Sequence, residues 1–112
     1  MASTKAYLDF ILDQFAAAGL EGVAVRPMMG EYLLGFRGRI FGGIYDDRFL
    51  VRPVKSAQAM MPDAPRELPY DGAKEMLLVE NADDPAFIKE LIEAMWPELP
   101  DPAPRKKRKT DT

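Results

Sequence analysis

The sequence predicts an α+β fold: one antiparallel sheet, built as a meander of three to four strands plus one later strand, covered by an N-terminal and a C-terminal helix. Three observations carry this expectation. Leu8, Ile11, Leu12 and Phe15, and again Ile88, Leu91, Ile92 and Met95, recur at i, i+3, i+4, i+7, one apolar face of a helix each. Residues 28–53 between them alternate by twos and are broken by turn-forming residues. Helical and strand patterns are segregated along the chain rather than alternating as βαβ units, which favours α+β over a parallel sheet.

Ser3 or Thr4 is the expected cap of a first helix over 4–18, and Gly19 stands just past its end, where a left-handed conformation is least costly for glycine. Val23–Arg26 is a short β-prone run, and Pro27 marks it as an edge strand or its end. In Glu31–Phe36, Tyr32, Leu34 and Phe36 alternate onto one face. Arg37-Gly38 reads as a two-residue hairpin turn. In Arg39–Tyr45, Phe41, Gly43 and Tyr45 are expected to face one way and Ile40, Gly42 and Ile44 the other. Asp46-Asp47 is the next turn, and Arg48–Arg52 the third strand of the meander. Ser56 is the expected cap of a short helix, Ala57–Met61, stopped by Pro62. Prolines 62, 65 and 69 bracket an irregular stretch, after which Glu75–Glu80 is the later strand. Asp84-Pro85 starts the last helix and Pro97 ends it.

The 112 residues fit one domain, expected over 1–98, with 99–112 as a disordered proline-rich and basic tail. The chain has no cysteine and no histidine, which removes disulfides, thiolate chemistry, the commonest acid–base side chain and the commonest metal ligand. No cofactor and no metal are expected. The N-terminus lacks a basic segment followed by an apolar run, and no apolar stretch approaches the length of a membrane span, so a cytoplasmic protein with no membrane contact is expected. The formal net charge of −3 hides a division. Five of the 15 basic residues are Arg105, Lys106, Lys107, Arg108 and Lys109, and one of the 18 acidic residues, Asp111, follows position 104. Residues 1–104 therefore hold 10 basic and 17 acidic residues, a net of −7.

The words Met28-Met29-Gly30-Glu31-Tyr32, Phe41-Gly42-Gly43-Ile44-Tyr45-Asp46-Asp47 and Leu50-Val51-Arg52-Pro53, followed by Lys55-Ser56-Ala57 and later Met76–Glu80, resemble the N-terminal domain of the TfoX/Sxy family, over roughly residues 5–98. That family is associated with the regulation of natural competence in bacteria. The resemblance implies a small α+β domain similar in fold to secretion-chaperone-like proteins, a fold in which dimers are common. It implies no catalytic residues. Full-length competence regulators carry a further helical domain where this sequence has its basic tail.

Each candidate site has a structural reading beside the functional one. Met28-Met29-Gly30 can line a groove, or can fill core gaps at a strand entry with a bulge at Gly30. Gly42-Gly43 can admit a ligand or partner strand, or can lie under a packed helix or aromatic ring. Glu31, Asp46 and Asp47 can pair as carboxylates, or the aspartates can simply make a turn. Arg26, Arg37, Arg39, Arg48 and Arg52 can form a basic patch, or can be solvated strand ends paired with those acids. Arg105–Lys109 is a candidate nucleic-acid contact acting through phosphate neutralisation, or a solvated tail. An apolar second sheet face favours self-association. The expectation is therefore a non-enzymatic interaction module, a homodimer with a protein partner in transcription regulation, using Tyr32, Phe36, Phe41 and Tyr45 as the contact face. The alternative is a nucleic-acid-binding accessory protein. Without histidine or cysteine, an enzyme would need a base–nucleophile constellation among other residues, and none is visible.

Overall fold

The computed structural model describes residues 3–100. The elements run α1 (Lys5–Ala17), β1 (Val23–Met28), β2 (Glu31–Phe36), β3 (Arg39–Ile44), β4 (Phe49–Val51), α2 (Lys55–Met60), β5 (Arg66–Glu67), β6 (Met76–Leu78), α3 (Pro85–Met95) and a 3-10 turn, Trp96–Glu98. The strands form one antiparallel sheet in the order β1-β2-β3-β4-β6-β5. This is the α+β architecture that the patterning predicts, with one more short strand at the far edge.

The first four strands are joined by three two-residue turns of the same kind. Met29-Gly30, Arg37-Gly38 and Asp46-Asp47 all carry positive φ at both positions, between 49° and 87°. Such turns have the twist of the strands they connect, so the meander closes without splaying. The first turn corrects the groove-or-core expectation for Met29. That side chain is 96% exposed at a hairpin tip and fills nothing. Thr4 caps α1 by accepting from Tyr7 N–H, and Asp84 caps α3 by accepting from Phe87 N–H. Ser56 does not cap α2. That helix starts at Lys55, and the Glu98 carboxylate accepts from Ser56 N–H and Oγ–H, both at 2.9 Å.

Strict alternation fails in β3. Leu34 pairs with Gly42 but Gly35 pairs with Ile40, so Phe41 is an extra residue, a β-bulge. The bulge puts both Phe41 and Ile44 on the helix-covered side, beside Leu34, Phe36, Phe49, Val51 and Leu77. Phe15 of α1 meets Phe41 and Phe49 there edge to face, with ring centroids 5.9 Å away in each case. Ile88, Leu91, Ile92 and Met95 of α3 close the core and are fully buried, and α3 packs against both α1 and α2. Leu99 is 5% exposed and belongs to the same core, so the folded unit runs past the expected boundary at 98. The remainder of the expected tail, with Arg105–Lys109, lies outside the described residues.

The last turn is tied to the β2–β3 hairpin. Trp96 Nε1–H donates to Phe36 O at 2.8 Å, and the Arg39 guanidinium lies 4.1 Å from the Trp96 ring centroid while donating to Trp96 O. This cation–π and hydrogen-bond clamp ties the end of α3 to the β2–β3 hairpin.

Candidate functional site

The first word of the motif string is a clasp. Glu31 accepts from Ser3 N–H and Oγ–H and from Asp46 N–H, while Asp47 accepts from Thr4 N–H and Oγ1–H and its own N–H donates to Ser3 Oγ. Three segments distant in sequence, the start of α1, the first hairpin and the β3–β4 turn, are thus joined by carboxylates that accept backbone hydrogen bonds. Turn backbone in the left-handed region points its N–H groups outward, and the clasp satisfies them. Among the described residues no group of three or more Asp, Glu, His or Cys is placed to hold a metal ion.

Gly42 and Gly43 are required for different neighbours. A Cβ on Gly42 would lie 2.1 Å from Leu50 O, so the β4 backbone occupies that space. A Cβ on Gly43 would lie 2.6 Å from Tyr32 O and 2.7 Å from Tyr45 Cε2, because the Tyr45 ring covers it. The glycine pair is filled by the protein itself.

The four residues expected to form one contact face are divided between two. Phe36 and Phe41 are buried in the core, and Tyr32 packs against it. Tyr45 lies beyond the bulge and lines the opposite side of the sheet with Leu33 and Ile40. The one-residue offset at Phe41 is the physical reason: it inverts the facing of every residue on one side of it relative to simple alternation. The strand arginines do not form a patch either. Arg48 is bound to Glu67 at 2.6 Å and to two backbone carbonyls, Arg39 is stacked on Trp96, Arg52 Nε–H donates to Ile40 O, and Arg26 and Arg37 are exposed elsewhere.

What the sheet leaves open is the face away from the helices. The segment between α2 and β6 folds over part of it. Tyr70, 57% exposed, approaches Tyr45 with ring centroids 6.2 Å apart, and Leu50 beneath is fully buried. Beside this cover is a concavity of about 370 Å³ with Leu33, Ile40 and Met76 half-buried in its lining. Met28, from the family-like motif, lines it too. Arg52, Tyr45 and Tyr70 supply its polar atoms, with Lys74 and Glu75 at its rim. Burial raises the Tyr45 hydroxyl pKa, the neighbouring Tyr70 adds to that, and the positive charge of Arg52 opposes it. The site has an apolar floor and a few converging polar groups, a pattern common to small-molecule sites. Two of its key residues, Tyr70 and Met76, are not candidates from sequence. The only local signal is a tyrosine in a proline-bracketed stretch ahead of an apolar run.

Among the described residues no helix is long and apolar enough to cross a membrane. No family model matches the chain, and no solved structure matches it. An uncharacterized 12.7 kDa protein in trpE 5'region, from Spirochaeta aurantia, is 32% identical to it over 108 residues, covering 95% of this chain and 91% of the relative. Over that span the two are alike in both sequence and length, and the chain belongs to the family of this Spirochaeta aurantia protein.

Proposed function

We propose that the chain is a non-enzymatic protein-interaction module of TfoX/Sxy N-terminal type, a cytoplasmic homodimer that serves transcription regulation through the open face of its sheet. The observation that carries this reading is the row of half-buried Met28, Leu33, Ile40 and Met76 on the face without helices. A helix-covered sheet whose other face keeps apolar side chains at the surface gains by burying them against a second surface, at about 25 cal/mol for each Å² removed from water. Two-fold pairing of the same face is the commonest solution for a small soluble chain. The motif residues Glu31, Asp46, Gly42 and Gly43 support the reading indirectly, because they are used in holding the fold together.

Light scattering on the full chain and on a chain ending at Pro100 tests it. A dimer in both places self-association in the folded unit, and a monomer in both refutes it. The alternative, a nucleic-acid-binding accessory role, is favoured by the run Arg105–Lys109. It requires binding that weakens steeply with salt and is lost when those five residues are deleted.

A further inference from the structure

We propose that the concavity on the open face is a binding site for a small amphipathic carboxylate, with Arg52 recognising the carboxylate and the apolar floor holding its body. Arg52 uses only Nε, on Ile40 O at 3.0 Å. Among the described residues its two terminal nitrogens have no hydrogen-bond partner. Tyr45 is 4% exposed, and its hydroxyl likewise has no hydrogen-bond partner among the described residues. Both line the same concavity. A buried hydroxyl without a partner is costly unless a ligand or water completes it, and the half-buried Arg52 fork beside it is open to the concavity. Two free nitrogens at the end of a planar guanidinium match the two oxygens of a carboxylate.

Charge and size narrow the class. Among the described residues the only other cation in the lining is the exposed Lys74, and Glu75 lies beside it, so the site favours a single negative charge over a phosphate dianion. The floor is aliphatic, from Leu33, Ile40 and Met76, and one wall is the Tyr70 ring. A concavity of about 370 Å³ is at the small end for ligand sites, suited to a medium-chain or single-ring acid. The inference does not need self-association, because a monomer carries the same lining; a dimer formed through the open face would cover Leu33, Ile40 and Met76, so the two readings compete for these side chains.

Nuclear magnetic resonance titration of the full chain tests it, with octanoate and benzoate as probes and octan-1-ol and octylamine as controls, and the mass followed by light scattering in the same samples. Saturable shifts at Tyr45, Arg52, Tyr70 and Met76 are expected with the acids, with octanoate binding about tenfold or more tighter than octan-1-ol. Arg52→Gln is expected to weaken octanoate about tenfold or more, and Tyr45→Phe to weaken it a few-fold while its ring still covers Gly43. If Arg52→Gln fails to fold, Arg52→Lys carries the test: it keeps the charge and loses the fork, and must also bind octanoate less tightly. Equal affinity for the acid and the alcohol, unchanged affinity in the Arg52 variants, shifts elsewhere on the surface, or no saturable shift with any probe would each overturn the proposal. Acid binding by a monomer would sink the dimer reading and leave this one standing.

Discussion

Replacing Gly42 with alanine separates two reasons for which a glycine is needed. Gly42 has no positive φ, so its requirement is steric and not conformational. An ideal Cβ there lies 2.1 Å from Leu50 O and 2.9 Å from Val51 Cα, against an optimal non-bonded carbon separation of about 3.5–4.0 Å. Both of those atoms are backbone, so no side chain can swing away. Strands β3 and β4 must part by about 1 Å or more to admit the methyl group. The ladder between them has only three pairs, Gly42↔Val51, Gly43↔Leu50 and Ile44↔Phe49, and Phe49, Leu50 and Val51 are fully buried. Overpacking costs about 1–3 kcal/mol and each weakened ladder bond about 1 kcal/mol more, so a total of about 3–5 kcal/mol is expected. A domain of this size is stable by roughly 5–15 kcal/mol. The melting temperature should therefore fall by about 15 °C or more, if a cooperative transition survives at all. Gly19→Ala is the control. Gly19 has φ of +75° and nothing within 4 Å of the place a methyl group would take, so only left-handed strain of about 1–2 kcal/mol applies. Circular dichroism melts of the two variants decide it. A Gly42→Ala protein that melts no lower than Gly19→Ala would refute the close β3–β4 approach as the reason for this glycine.

Three other perturbations probe the contacts that hold the site in place. Glu31→Ala should unfasten the clasp on Ser3 and Asp46, costing about 1–2 kcal/mol in a chemical denaturation curve and raising amide exchange at the start of α1. Trp96→Phe removes the donor to Phe36 O and weakens the Arg39 stack, and should cost about 1–2 kcal/mol by the same measurement. Hydrogen bonds from Ser56 N–H and Oγ–H, then the charge of Lys55, hold the Glu98 carboxyl below the usual glutamate range. Its folded-state pKa is depressed, so its stabilising effect is present above the unfolded value near 4.5 and is lost as pH falls through the lower folded value. Glu98→Gln should therefore be less stable than the parent at neutral pH, and the two melting curves should converge in acid below that value.

The parts of this fold that are legible in the sequence are those fixed by neighbours in the chain. Arg37-Gly38 and Asp46-Asp47 are turns because of what those residues can do locally, and Asp84-Pro85 starts α3 for the same reason. What sequence reasoning misses is set by strand pairing and by groups elsewhere in the chain. The bulge at Phe41 lies in the β2–β3 pairing and leaves no mark on the alternation, yet it turns Phe41 into the core and leaves Tyr45 on the other face. Ser56 is a plausible cap by type, yet the carboxylate that binds it comes from Glu98. Arg66–Glu67 is polar and flanked by prolines, and is a strand only because β6 pairs with it. The candidate site is half legible: Tyr45 and Arg52 are visible as an aromatic and a cation in the strand region. The wall carrying Tyr70 comes from a segment whose path no periodicity encodes.

The most direct test of the central claim is the solution mass of Leu33→Glu beside that of the unaltered chain, by light scattering across a range of concentrations. Leu33 is half-buried on the open face and outside the helix-covered core, so the charge should leave the fold intact by circular dichroism. Self-association through the open face predicts a dimer for the unaltered chain and a folded monomer for the variant. A monomer for both, or a dimer that Leu33→Glu leaves undisturbed, would contradict it.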